Sequence, residues 1–213
     1  MKTTANLERR GLMLVLSSPS GAGKTSIAKK LLDIDKNLSL SISATTRPAR
    51  EKEVNGKDYF FVSQEEFDSL VKTNKLLEYA HIFGNEYGTP KEPVENALKN
   101  GKDVLFDIDW QGTQQIAETS KGDLVTVFIL PPSYAEQKRR LFKRDQDSEE
   151  EISNRLNKSS EEISHWAEYD YVIINDDFDK SVHRIMSILT AERLKRSRLT
   201  GLAEFVKSLK ETP

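Results

Sequence analysis

A lysine and a threonine follow a turn that contains two glycines near the start of the chain. The segment reads SPSGAGKT, with Gly21 and Gly23 ahead of Lys24 and Thr25. The glycines let successive backbone N–H groups converge on one anion. The lysine can then reach a β- or γ-phosphate, and the threonine hydroxyl suits Mg²⁺. The segment predicts a loop that binds nucleotide phosphates.

The residues on both sides fit such a loop. An apolar strand-like run at 12–17 precedes it, and helical spacing follows from about 26 to 32. The helix adds its positive N-terminal end to the site. Ser18 stands where the GxxxxGK[ST] pattern has its first glycine, and the alternative is a turn with a solvated lysine. The flanking strand and helix favour the phosphate loop.

Carboxylates and arginines elsewhere are further candidates. Asp107 and Asp109 end the run DVLFDID, and ligands bind at the carboxyl ends of parallel strands. They could order Mg²⁺ and its water, or they could cap the next helix. Arg47 and Arg50 flank Pro48 in an anion-binding cluster or an exposed basic turn.

Two more features leave alternatives open. Glu78 lies alone in the apolar run LLEYAHI, on a solvated face or in a site. A polar segment, RDQDSEE at 144–150, separates two charged helices, and arginines 139, 140, 144 and 155 lie around it. Such a hairpin is either solvated surface or a mobile lid that brings arginines to the transferring phosphate.

Composition limits the class of protein. The 213 residues are 37% hydrophobic and 31% charged, which predicts a soluble α/β domain with a small inserted lobe. The net charge of −2 gives no field that favours nucleic acid, and the lack of cysteine excludes thiolate metal sites. No apolar run approaches the roughly 20 residues of a membrane span, and residues 1–10 lack an apolar signal core. We expect a cytoplasmic protein without membrane or nucleic-acid partners.

The apolar runs predict the architecture. Five strand-like runs separated by helices predict a parallel three-layer sheet: 12–17, 38–43, 103–108, 124–130 and 170–174. Residues 44–90 lack the βαβ rhythm and predict an inserted lobe. In it we expect short strands at 58–62 and 76–82, a capping box of Ser63 and Glu66, and a turn at 84–90. Thr89, Pro90 and Glu92 predict the cap of the next helix, and the last long helix should run from 178 to about 198.

The phosphate loop and the arginines of the lobe would form two anion sites. A second anion site favours phosphoryl transfer to a phosphorylated acceptor over hydrolysis, because water needs no such site. The chain closely resembles the guanylate kinase family of nucleoside monophosphate kinases over about residues 10–195, in its bacterial, single-domain type. Eight motifs carry this resemblance, namely SPSGAGKT, SATTRPAR, NGKDYFFV, LEYAHIFGNEYGT, DIDWQG, ILPPS, RDQDSEE with Arg155, and YDYVIINDD.

The resemblance implies a P-loop fold and the reaction ATP + GMP ⇌ ADP + GDP with Mg²⁺, by a monomer or homo-oligomer. It implies a GMP-binding lobe at about 44–90, a helical lid at about 134–165 and a C-terminal helical extension at 196–213. The implied ATP-binding residues are Ser18, Pro19, Ser20, Gly21, Ala22, Gly23, Lys24, Thr25 and Asn175. The implied GMP-binding residues are Ser43, Arg47, Arg50, Tyr59, Glu78, Tyr87, Thr89 and Asp109. The implied catalytic residues are Lys24, Arg47, Arg144 and Arg155, and the implied metal site is Thr25 with Asp107.

The physical chemistry of guanine agrees with a role for Glu78. A carboxylate can accept hydrogen bonds from guanine N1–H and N2–H₂ together, whereas adenine N1 would face it with a lone pair. The lid departs from the family pattern at Asp145, where many members have glycine, and we expect an effect on rate. Two other hypotheses are a guanylate-kinase-like module that binds protein partners and a kinase with another phosphorylated acceptor.

Overall fold

The computed structural model describes residues 7–82, 84–142 and 149–210, with the side chains of 149–155 and 157 outside the description. The strands are β1 Met13–Ser17, β2 Leu38–Leu40, β3 Ala44–Thr45, β4 Phe60–Phe61, β5 Leu76–Ile82, β6 Asn85–Pro90, β7 Asp103–Asp107, β8 Leu124–Leu130 and β9 Tyr171–Ile174. The α-helices are α1 Lys24–Ile34, α2 Gln64–Lys72, α3 Lys91–Lys99, α4 Trp110–Ser120, α5 Tyr134–Phe142, α6 Glu149–Ser164, α7 Phe178–Arg193 and α8 Leu202–Lys210. Short 3₁₀ turns lie at His165–Glu168 and Arg196–Arg198.

The main sheet is parallel and has the strand order β2-β7-β1-β8-β9. Its central strand, β1, is buried along its whole length, and Leu14 lies between Leu105 of β7 and Val125 of β8. A strand buried on both faces has a continuous apolar sequence. The five-stranded parallel α/β fold expected from the sequence is confirmed.

Helices cover both faces of this sheet. Leu14 and Leu16 of β1 pack in a cluster that includes Ile27 of α1 and Ile185 of α7. Met13 and Val15 point to the opposite face, because successive strand residues alternate, and pack with residues of α3 and α4 such as Val94 and Ile116. The result is the three-layer arrangement expected for this pattern.

A second sheet, with the strand order β4-β3-β6-β5, is built from residues 44–90. Helix α2 covers it through Phe67, which is buried with Ala44 and Leu76. The predicted capping box of α2 is present, since Ser63 Oγ accepts from Glu66 N at 3.1 Å and Glu66 Oε2 accepts from Ser63 N at 2.7 Å. Within the described ranges, every helix falls short of the length and apolarity that crossing a membrane requires.

Three expectations in and around the second sheet are wrong. Of the turn expected at 84–90, residues 85–90 are instead strand β6, because its backbone pairs with both β5 and β3 although the segment lacks apolar alternation. The strand expected at 38–43 ends at Leu40, where the chain leaves the main sheet for β3. Helix α3 has Pro90 as its N-cap without a side-chain cap, because the Thr89 hydroxyl bonds elsewhere.

The other boundaries differ by a few residues. The strand expected at 58–62 is limited to Phe60–Phe61. Helix α7 ends at Arg193 rather than near 198. The guanidinium of Arg193 pairs with Asp35 and Asp103.

Candidate active site

The predicted phosphate loop lies at the carboxyl end of β1 and leads directly into α1. Gly21 and Gly23 have φ of +84° and +99°, a left-handed conformation that favours glycine. A Cβ atom on Gly23 would lie 2.6 Å from Nδ2 of Asn175, so the site also lacks room for a side chain. Gly23 is the N-cap of α1, and Lys24 is the first helical residue. The loop therefore ends at the positive end of a helix.

Lys24 and Asp107 meet beside this loop. Lys24 Nζ lies 2.6 Å from Asp107 Oδ1 and donates a 3.2 Å hydrogen bond to the carbonyl of Ile108. Leu16 of β1 is in register with Asp107 of β7, which explains why residues far apart in sequence share one edge of the sheet. Thr25, in the first turn of α1, is exposed. Hydroxyl and carboxylate oxygens of this kind suit Mg²⁺.

Three side chains, two from α5 and one from the segment after β9, hold the backbone of the loop. The buried Asn175, after β9, donates through Nδ2 to the carbonyl of Ala22 at 2.7 Å. Gln137 of α5 donates through Nε2 to the carbonyl of Ser20 at 2.7 Å. Arg140, one turn further, donates to the carbonyl of Asn175 at 3.1 Å. No local signal in the sequence marks Gln137, and Arg140 is recognisable there only as one of several charged residues of a helix.

A second group of predicted residues surrounds Glu78 in β5. Glu78 is only 7% exposed, and its Oε1 accepts a 2.6 Å hydrogen bond from Thr89 Oγ1. Ser43 Oγ lies 3.4 Å from the same Thr89 oxygen. Burial raises the pKa of Glu78, the charge of Asp109 raises it further, and the Thr89 hydrogen bond partly offsets the shift. This carboxylate is held in a polar pocket and does not lie on a solvated face.

Asp109 connects this pocket to the next helix. Its Oδ1 accepts a 2.9 Å hydrogen bond from the backbone N–H of Gly112, so Asp109 is the N-cap of α4. Asp109 therefore caps the next helix, which is one of the two roles that the sequence left open for it. A Cβ atom on Gly112 would lie 3.4 Å from Oε2 of Glu78, which places the start of α4 against the pocket.

The predicted arginine and tyrosine group is assembled in the second sheet and its loop. The Arg47 guanidinium lies 5.4 Å from the ring centre of Tyr59, whose ring meets that of Tyr87 edge-on at 6.0 Å. Arg47 Nη2 also lies 2.7 Å from Oε1 of Glu53, and the backbone N–H of Arg50 donates to Oε2 of Glu53 at 2.8 Å. Glu53 went unnoticed in the sequence because it lies in a polar turn among other charges.

Of the four arginines around the predicted lid, Arg139 and Arg140 have described side chains. Arg144 and Asp145 lie outside the described residues, and Arg155 lies in α6 with its side chain outside them. Arg139 and Arg140 both pair with Glu136, at 2.7 and 2.8 Å.

Comparisons with known proteins show the family of this chain. The family model described as guanylate kinase matches residues 10–192. The chain belongs to the guanylate kinase family. It is 58% identical over 203 residues to the guanylate kinase of Nitrobacter winogradskyi, covering 95% of this chain and 93% of that protein. It is 54% identical over 208 residues to that of Paramagnetospirillum magneticum, covering 98% and 97%.

A solved structure of the same family has a similar fold. The crystal structure of guanylate kinase from Anaplasma phagocytophilum matches with a TM-score of 0.74 at 40% identity, covering 97% of this chain and 99% of that one. The family expected from the motifs is confirmed, and with it the nucleoside monophosphate kinase activity, phosphorylation of GMP by ATP.

Proposed function

We propose that the phosphate loop and the Glu78 pocket are the donor and acceptor sites of one guanylate kinase cleft. The observation that carries this proposal is the short segment Asp107–Asp109, which reaches both groups. Asp107 and the Ile108 carbonyl contact Lys24 of the loop, and Asp109 caps the turn of α4 whose Gly112 lies against Oε2 of Glu78. Consecutive residues in contact with both groups support a single cleft.

On the donor side, the loop would bind the phosphates of ATP. The assigned residues are Ser18, Pro19, Ser20, Gly21, Ala22, Gly23, Lys24 and Thr25, with Asn175 beside them. Amide donors and the helix N-terminus favour the phosphates, and Lys24 supplies a full positive charge next to them.

On the acceptor side, the ionised Glu78 would accept from guanine N1–H and N2–H₂. The assigned partners of the base are Ser43, Thr89 and Asp109, and those of the GMP phosphate are Arg47, Arg50, Tyr59 and Tyr87. Adenine would leave the buried carboxylate without its donors, a mismatch that can discriminate strongly. The clustering of Glu78 with Thr89 and of Arg47 with Tyr59 supports this assignment.

Mg²⁺ is the cofactor in this proposal. Among the described residues, no three His, Cys, Asp or Glu side chains are grouped closely enough to hold a metal ion. Mg²⁺ that binds with a nucleotide usually takes one or two protein ligands and the phosphates. Thr25 and Asp107 supply hard oxygen donors of this kind beside the loop, and the ion would neutralise phosphate charge there.

The chemistry needs no covalent intermediate on the protein. An oxygen of the GMP phosphate attacks the γ-phosphorus of ATP in line, that P–O bond forms, and the bond to the ADP oxygen breaks. Lys24 stabilises the charge of the transferring group. Arg47 would orient the acceptor phosphate, and Arg144 and Arg155 would close from the lid.

We further propose that the chain consists of a kinase domain at 10–195, with a GMP-binding lobe at about 44–90 and a lid at about 134–165, and a C-terminal extension at 196–213. The protein would act in the cytoplasm as a monomer or homo-oligomer, without nucleic-acid or membrane partners.

Substitution of Lys24 tests the donor assignment. Lys24→Ala should lower kcat on the order of 10³-fold, because loss of one preorganised charge costs about that much in comparable sites. The Kd for GMP should stay within about twofold, since Lys24 does not contribute to the acceptor pocket. Lys30→Ala, an exposed lysine on the same helix, is the control. Near-normal kcat in Lys24→Ala would contradict the assignment.

A further inference from the structure

A carboxylate from α6 contacts the phosphate loop. Oε2 of Glu162 accepts a 3.2 Å hydrogen bond from the backbone N–H of Ser20. Ser20 lies inside the loop, two residues after Ser18 and next to Gly21. The amides of such a loop are the donors that a phosphate group needs. An anionic side chain of the protein therefore uses one of them.

The surroundings of Glu162 resemble those of a bound anion. Burial raises the pKa of Glu162, whereas the Ser20 N–H and the charge of Lys24 act in the opposite direction. Lys24 is the cation that the proposed function assigns to the ATP phosphates. The groups that stabilise the Glu162 carboxylate, the loop amide and Lys24, are thus the same groups that would stabilise a phosphate.

Helix α6 is also tied to the other side of Ser20. Gln137 of α5 donates to the Ser20 carbonyl at 2.7 Å and to Ser159 Oγ of α6 at 2.6 Å. Gln137 and Ser159 are both buried. Ser159 and Glu162 are three positions apart, so they share the face of α6 that contacts the loop.

We propose that Glu162 is a displaceable occupant of the donor phosphate site, so that ATP binds by expelling its carboxylate from the loop. This inference rests on the proposed function, which places ATP phosphates on the same loop. Two anions repel each other and compete for one N–H donor, so the carboxylate must leave when a phosphate enters. Its departure removes a contact between α6 and the loop, and ATP binding is thereby coupled to the position of the helix that contains Arg155.

Titration of ATP into the full-length protein without GMP tests the proposal. Glu162→Gln keeps a carbonyl that can accept from Ser20 but removes the charge, and a neutral acceptor holds the amide less strongly. We expect the Kd for ATP to fall about fivefold to tenfold, since hydrogen bonds to charged groups are about twice as strong as neutral ones. A merely structural role would weaken ATP binding instead.

Glu161→Gln is the matched control. Glu161 is the neighbouring residue on α6, is exposed, and loses the same charge on substitution. Its Kd for ATP should equal that of the unmodified protein. The Kd for GMP should be unchanged in both variants. Glu162→Ala is the second variant, should Glu162→Gln not fold, and its expected shift has the same sign.

An unchanged or weaker affinity for ATP in folded Glu162→Gln would overturn this proposal. An equal gain in Glu161→Gln would also overturn it, because the effect would then be general charge. The titration reads ATP binding alone, so it stays separate from the proposed function. That function would fail if the unmodified protein did not phosphorylate GMP, whatever the outcome for Glu162.

Discussion

Thr89 donates a 2.6 Å hydrogen bond from Oγ1 to Oε1 of the buried Glu78. The two residues lie on the antiparallel strands β6 and β5. The pairing register between these strands is irregular between Leu76 and Tyr79 of β5, where Glu78 lies. The bond fixes the orientation of the Glu78 carboxylate, while Oε2 lies toward Gly112. A ligand that offers two adjacent donors would therefore meet a carboxylate that is already oriented, which lowers the entropy cost of binding.

Glu78→Gln should raise KM for GMP on the order of 10²-fold, because the amide N–H₂ opposes a guanine donor and charge-assisted hydrogen bonds are lost. Discrimination against AMP should fall, while KM for ATP stays unchanged. The melting temperature should not decrease, since an ionised buried carboxylate is itself unfavourable. Steady-state kinetics with both acceptors measure this, with the exposed Glu92→Gln as control. Unchanged GMP specificity would refute the role of Glu78.

GMP binding should weaken as the pH falls. Burial raises the pKa of Glu78, so the folded protein binds this proton more tightly than the unfolded chain. Its contribution to stability thus increases as pH falls through the raised pKa, whereas the acceptor form that guanine needs is lost. The GMP phosphate also titrates, at about pH 6. Because this affects both proteins equally, comparing the unmodified protein with Glu78→Gln removes its contribution. The KM for GMP of Glu78→Gln divided by that of the unmodified protein should become smaller toward acidic pH. A ratio that does not change with pH would contradict a role for ionised Glu78.

Arg193 should be important for stability rather than for activity. It pairs with Asp35 at 2.6 Å and with Asp103, which is fully buried and also binds Arg9 at 2.7 Å. Arg193→Ala leaves two acidic groups short of a cation, and we expect a loss of about 3 kcal/mol in the free energy of unfolding. Urea denaturation measures it.

The control for that loss is an exposed pair. Arg184 lies 3.5 Å from Asp176, and about half of each side chain is exposed. Arg184→Ala should cost less than about 1 kcal/mol, as is usual for surface ion pairs. Equal losses in the two variants would show that burial of Asp103 does not set the strength of the Arg193 network.

Local patterns predicted the fold core and the glycine-containing loop between β1 and α1. The buried parallel strands are continuous apolar runs, and the loop is contiguous from Ser18 to Thr25, so each is readable without knowledge of the partners. Strand β6 was missed because its stability comes from pairing on both edges. Gln137 and Glu162 were missed because they contact Ser20 across 117 and 142 residues, and an ordinary polar helical residue carries no sign of such a partner.

Phosphorylation of GMP by this cleft is tested most directly by measuring ADP release from ATP and Mg²⁺ with GMP, dGMP, AMP, CMP and UMP as separate acceptors. We expect strong turnover with GMP, weaker turnover with dGMP and little with the others, because among these bases only guanine offers Glu78 two adjacent donors. Equal turnover with AMP or a pyrimidine nucleotide would contradict the guanine pocket. No turnover with any acceptor, by folded protein that binds GMP, would contradict the kinase activity itself.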